Sequence, residues 1–251
     1  MNRNGSSSFI RSTGPRDDAI IAGVRWLISE AKKAGNTGIV AVSTKANLDN
    51  IANWSQLAAL FTSLRQSERV AIEGVTLHLV NLKSNRPHTF NGPVLVIYGG
   101  QELLDAVDSI AGSSPVLYIP WEGDEFANWA QTWQATELGK PAAETRPQTE
   151  PTSGTAYFAL KSLTNDVNLN TGITHPSDRE SAIRTLETLF HKGAPITPET
   201  IRQQLIRLGW EPKDASKVKE LAEMIWEGRR PKKSTGRADD QLWNYWNSKA
   251  N

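Results

Sequence analysis

Three short, nearly unbroken apolar runs constrain this chain more than anything else in it: GIVAVST at 38–44, PVLVIYG at 93–99 and PVLYIPW at 115–121. Runs of this length, rich in Val and Ile and without alternating polar positions, suit strands covered on both faces. Between them the apolar residues recur at three- and four-residue steps. From Asp17, the residues Ile20, Ile21, Val24, Leu27, Ile28 and Ala31 form one such stripe, closed by Lys32, Lys33 and Gly35, which is the signature of an amphipathic helix. Residues 47–68, 101–112 and 124–139 repeat that spacing, and GVTLHLVNLK at 74–83 reads as a further strand. Strands alternating with helices predict an α/β amino-terminal domain, with Rossmann-like layers around a mainly parallel sheet of about four strands. The connection SNRPHTFN is too short for a parallel crossover helix. It leaves the strands on either side of it open to antiparallel pairing.

Residues 1–16, rich in Ser, Asn and Gly, read as a disordered amino terminus, and residues 17–139 as the α/β domain. KPAAETRPQTEPTSGT at 140–155 has three prolines and no apolar period, the composition of a linker between domains. Residues 156–228 then read as all helical, and 229–251 as a basic, Trp-containing tail. Ser177 followed by Glu180 reads as a capping box opening a helix at 178–192. Thr197 caps a helix that starts with Pro198 and stops before Gly209, and a third runs from about Asp214 to Glu227;. The result is a small all-α bundle of helix-turn-helix size, with a last short helix at 239–249.

Composition removes several classes of function. The chain has no Cys, so it has no disulfide, thiolate zinc site or Cys nucleophile. Its apolar runs fall well short of the ~20 residues of a membrane-spanning helix, and the amino terminus lacks the apolar stretch of a signal peptide. A cytoplasmic location is expected. The net charge of +1 hides an asymmetry. Residues 1–150 carry 13 Lys and Arg against 15 Asp and Glu, and residues 151–251 carry 15 against 12. The outlier is WEGRRPKKSTGR at 226–237, where Arg229, Arg230, Lys232, Lys233 and Arg237 follow one another with no acid between;.

Candidate sites follow from the topology and from that basic run. In open α/β sheets, ligands bind beyond the carboxyl ends of the strands. That rule singles out Ser43, Thr44 and Lys45, then Gly99 and Gly100, then Glu122 and Asp124. The glycine pair before a helix offers free N–H groups to an anion, and the two acids suit acid–base work, the holding of Mg²⁺ or the start of a helix equally. No G-x-G-x-x-G, no P-loop and no G-x-S-x-G is present. His78, His88, His175 and His191 lack metal-ligand spacing, so no catalytic residue, metal or cofactor is assigned. In the helical region Arg202, Arg207, Lys213 and Lys217, with the five cations of the basic run, supply phosphate-contacting chemistry. Trp243 and Trp246 offer faces on which bases stack.

These features predict a non-catalytic, two-domain binding protein. Its helical domain and tail contact nucleic acid, and its α/β domain docks a partner or a small ligand. Two other readings stay open: a protein–protein adaptor working through the Trp-rich helices and tail, and an enzyme acting on a nucleotide or another phosphorylated small molecule. The residues of the basic run are equally accounted for by helix C-terminal electrostatics.

Overall fold

A computed structural model of the chain describes residues 7–84, 90–122, 125–140 and 154–250. The chain divides into two compact units, residues 1–147 and 148–251.

The first unit is built on a seven-stranded sheet. Its strands are β1 (Ser7–Phe9), β2 (Thr37–Ala41), β3 (Arg69–Ile72), β4 (Val75–Val80), β5 (Val94–Ile97), β6 (Val116–Ile119) and β7 (Thr136–Glu137), in the order β3-β4-β2-β5-β6-β1-β7. All neighbours are parallel except β3 and β4. The expected α/β class and mainly parallel sheet are present, but the count of about four strands is too low. None of the three additional strands has an apolar run longer than three residues. Ser7–Phe9 lies in the segment read as disordered, yet Ser7 and Phe9 are both buried between β6 and β7. Arg69–Ile72 is an edge strand joined to β4 through Glu73 and Gly74, both at positive φ (49° and 79°), as a two-residue hairpin demands. Thr136–Glu137 is only two residues long.

The strands at 74–83 and 93–99, open to antiparallel pairing in the sequence, are not neighbours. Both flank β2 and run parallel to it. The helices are α1 (Asp17–Lys33), α2 (Lys45–Ala52), α3 (Ala58–Ser67), α4 (Gln101–Ala111) and α5 (Ala127–Trp133). The single helix expected at 47–68 is two. Asp17 explains the break, because its carboxylate accepts hydrogen bonds from Ser55 Oγ (2.6 Å) and the Gln56 N–H (3.2 Å).

Val40, Leu77, Leu95, Ile97, Leu117 and Ile119 form one sheet face and pack with the apolar stripes of α1, α2 and α3. Alternate residues such as Ile39, Val94, Val96 and Tyr118 are buried too, so the sheet is covered on both sides. The strand order carries the chain from β1 to β2 and on to β4 in one direction, and from β5 to β6 and β7 in the other. The direction reverses between β2 and β5.

The second unit contains α6 (Gly154–Asp166), a short 3-10 turn (Gly172–Thr174), α7 (Pro176–His191), α8 (Pro198–Arg207), α9 (Pro212–Trp226) and α10 (Asp240–Ala250). Leu160, Leu163, Leu186, Leu189, Ile201, Leu205, Val218 and Leu221 form its core. Thr197 caps α8 by accepting the Thr200 N–H at 3.1 Å. The capping box at Ser177 is replaced by an earlier start. Pro176 takes the first helical position and the His175 ring accepts the Ser177 N–H. Among the described residues no helix is long and apolar enough to cross a membrane.

Candidate functional site

At the reversal point the carboxyl ends of β2, β4, β5 and β6 carry two features. The first is an aromatic cluster. Tyr98 follows β5 with φ of 52°, a left-handed backbone that bulky residues adopt only when their surroundings hold them there. Its hydroxyl accepts the Arg16 N–H at 3.0 Å. The Trp121 ring lies edge-on to it at 5.0 Å, and the Trp54 ring is 6.5 Å away on a tilt. Trp54 is 37% exposed and Trp121 43%, while the ring between them is half-buried.

The turn holding Trp121 is organised by Glu125. Its carboxylate accepts the N–H groups of Trp121 (3.0 Å) and Glu122 (3.3 Å). Beneath it the Tyr118 hydroxyl donates to the Gly99 carbonyl at 2.6 Å. Burial, followed by the neighbouring Glu125 charge, raises the Tyr118 hydroxyl far above its ordinary value, so it acts as a fixed donor. Of the two acids chosen from the sequence, Glu122 is exposed and Asp124 lies outside the described residues. The acid that shapes this turn is Glu125, which no sequence motif marks.

The glycine pair separates into two roles. A Cβ on Gly99 would sit 2.3 Å from the Leu103 side chain, so that position serves close packing of α4;. Gly100 caps α4, is exposed, and has open space where a Cβ would stand.

The second feature is a cleft of about 400 Å³ lined by Thr44, Lys45, Glu68, Asn81, Lys83 and Ser84, beyond β2 and β4. Thr44 is held by Asn47, which accepts both its N–H and its hydroxyl at 2.8 Å. Lys45 pairs with Glu68. Asn81 fixes the turn after β4, accepting the Lys83 N–H at 2.9 Å and donating its own N–H to Ser84 Oγ at 3.0 Å. Thr44 and Lys45 therefore share this cleft with residues absent from the sequence choice. Ser43 stands just before it, its carbonyl accepting the Leu82 N–H. Among the described residues no group of three or more His, Asp or Glu is arranged to hold a metal ion.

In the helical unit the basic stretch is a fastened loop. Glu187 of α7 is 2% exposed. Its carboxylate accepts the Ser234 hydroxyl, the Thr235 N–H (3.1 Å) and hydroxyl (2.9 Å), and the Gly236 N–H (2.8 Å). Burial alone would raise its pKa, but these donors outweigh it and hold the carboxyl below the ordinary range;. At the next residue, Thr188 Oγ1 accepts the Asp239 N–H at 3.0 Å and leads the chain into α10.

Within that loop Arg229 pairs with Glu227 and Lys233 with Glu180. Arg230, Lys232 and Arg237 are exposed, and among the described residues no carboxylate forms an ion pair with them. The other residues chosen for nucleic acid separate sharply. Lys213 and Lys217 are exposed, with Lys217 held to Asp214 at 2.8 Å. Arg202 is only 5% exposed and donates to Ser216 Oγ at 2.9 Å, so it ties α8 to α9. Arg207 is half-buried, and burial lowers its pKa. Trp243 is half-buried, whereas Trp246 is 1% exposed, and its helix packs on α6. Its ring is core and offers no face to a base. Glu187 is the residue that sequence reasoning missed. It sits within an apolar helical face 47 to 49 positions from its partners, and no local pattern marks it.

Residues 156–247 match the family model described as a domain of unknown function, DUF1889. The match runs from α6 into α10, so the fastened loop lies within the region of similarity. No curated protein matches the chain.

Proposed function

We propose that this is a non-catalytic, two-unit binding protein whose helical unit contacts nucleic acid through the loop at 229–237, while its α/β unit docks a small ligand at the strand ends. The observation that carries the reading is the Glu187 clamp. Burying a carboxylate is costly unless donors replace its water, and here all the donors come from the basic stretch. The clamp gives Arg230, Lys232 and Arg237 a defined presentation before any partner arrives, which lowers the ordering cost of binding. A solvated tail needs no such fastening. Lys213 at the start of α9 adds a further exposed cation, and guanidinium and ammonium groups are the usual contacts to phosphate oxygens.

The test is fluorescence anisotropy of labelled duplex DNA, single-stranded DNA and RNA over a salt series. Affinity should fall as salt rises, with a log–log slope of about −0.9 per phosphate neutralised on duplex DNA. The variant Arg230→Ser/Lys232→Ser/Arg237→Ser should flatten that slope by about 2 to 3. Equal affinity of this variant and the parent chain would refute the nucleic-acid half of the reading. A protein adaptor is then favoured by Tyr245, the most exposed large apolar side chain among the described residues.

A further inference from the structure

The small-ligand half of that reading can be sharpened to a chemical class, and the inference rests on it. Two of the three exposed large apolar side chains among the described residues, Trp54 and Trp121, stand together around Tyr98 at the strand ends. The cleft beyond β2 and β4 contributes Lys45 and Lys83 against the single acid Glu68, with the hydroxyls of Thr44 and Ser84. Lys45 already holds Glu68, whereas no carboxylate among the described residues forms an ion pair with Lys83. The cleft therefore carries a surplus positive charge beside hydroxyl groups, which matches a phosphate.

The strand order fixes how these two features relate. β4, β2, β5 and β6 are consecutive in the sheet. The cleft lies at the ends of the first two, and Tyr98 and Trp121 follow the last two. Adjacent strands are about 4.8 Å apart, which places the aromatic rings roughly 7–12 Å from the cleft. A nucleoside phosphate separates its base from its terminal phosphate over such a span. We propose that the crevice binds a nucleoside 5′-phosphate, with the base stacked on Trp54 or Trp121 beside Tyr98 and the phosphates between Lys45 and Lys83. The left-handed backbone at Tyr98 and the Arg16 N–H on its hydroxyl hold the central ring in place.

The experiment is calorimetric titration of the intact chain with ADP, GDP, CDP and UDP, with inorganic pyrophosphate and adenosine as separate probes. At least one nucleoside diphosphate should bind more tightly than pyrophosphate or adenosine. Trp54→Ala or Trp121→Ala should weaken it about tenfold, as loss of one base–aromatic stack implies, and leave pyrophosphate unchanged. Lys83→Ala should weaken both phosphate probes. If pyrophosphate binds as well as every nucleotide, or neither Trp variant changes nucleotide binding, the base platform is overturned while an anion-binding cleft stands. If none of the probes binds, the proposal and the small-ligand reading of this cleft fall together.

Discussion

In the α/β unit, Tyr98, Trp121 and Lys45 stand where paired strands end. In the helical unit, Arg230, Lys232 and Arg237 stand on a loop held largely by one carboxylate. The first arrangement distributes its support over the sheet: β5 alone is bonded to β2 and β6 through most of its length. The second concentrates it in Glu187. Residues in the crevice should therefore be replaceable one at a time without disturbing the others. Those in the loop should lose their shared presentation at a single substitution elsewhere.

Unfolding and exchange measurements test that contrast, and the helical core should respond most strongly. Trp246→Ala should cost about 3–5 kcal/mol, as truncation of a fully buried aromatic does, read from urea unfolding of the full chain. Glu187→Gln should cost about 2–3 kcal/mol, because charge-assisted bonds to four donors become a mismatched amide. It should also speed amide exchange at residues 235 and 236. The same carboxylate makes stability pH-dependent. Its folded pKa is depressed, so its contribution is complete above the ordinary Glu value of about 4.3 and disappears as pH falls through the lower folded value. The parent chain should lose stability in that acid window more steeply than Glu187→Gln does.

In the α/β unit Gly99→Ala should cost about 1–3 kcal/mol, the price of overpacking against Leu103, seen in the unfolding midpoint. The smallest effect should come from the triple variant of Arg230, Lys232 and Arg237 to Ser. It should stay within about 0.5 kcal/mol of the parent, as exposed positions do. A larger loss would show that these cations support the fold, and would dissolve the distinction between scaffold and contact.

The strand ends were legible because topology follows from element order: apolar runs at 38–44, 93–99 and 115–121 marked where the crevice would lie. Chain-local signals were legible too, as at Thr197 and Pro198, where the cap and the first helical position are adjacent in sequence. What escaped depends on distant partners. Arg202 reads as a surface cation until Ser216 of the facing helix is placed against it. Trp246 reads as a stacking face until α6 covers it. Ser7–Phe9 has too little apolar character to announce a strand, and its place comes from the ladders on either side. Trp54 and Lys83 are ordinary residues in sequence, brought to the crevice only by the turns after α2 and β4.

The position of β1 has a consequence for how the molecule is made. Ser7–Phe9 pairs with Val116–Tyr118 and Thr136–Glu137. These partners are synthesised more than a hundred residues later. Such long-range closure is slow, so Ser7–Phe9 stays without its partners until residues 116–118 and 136–137 have been made.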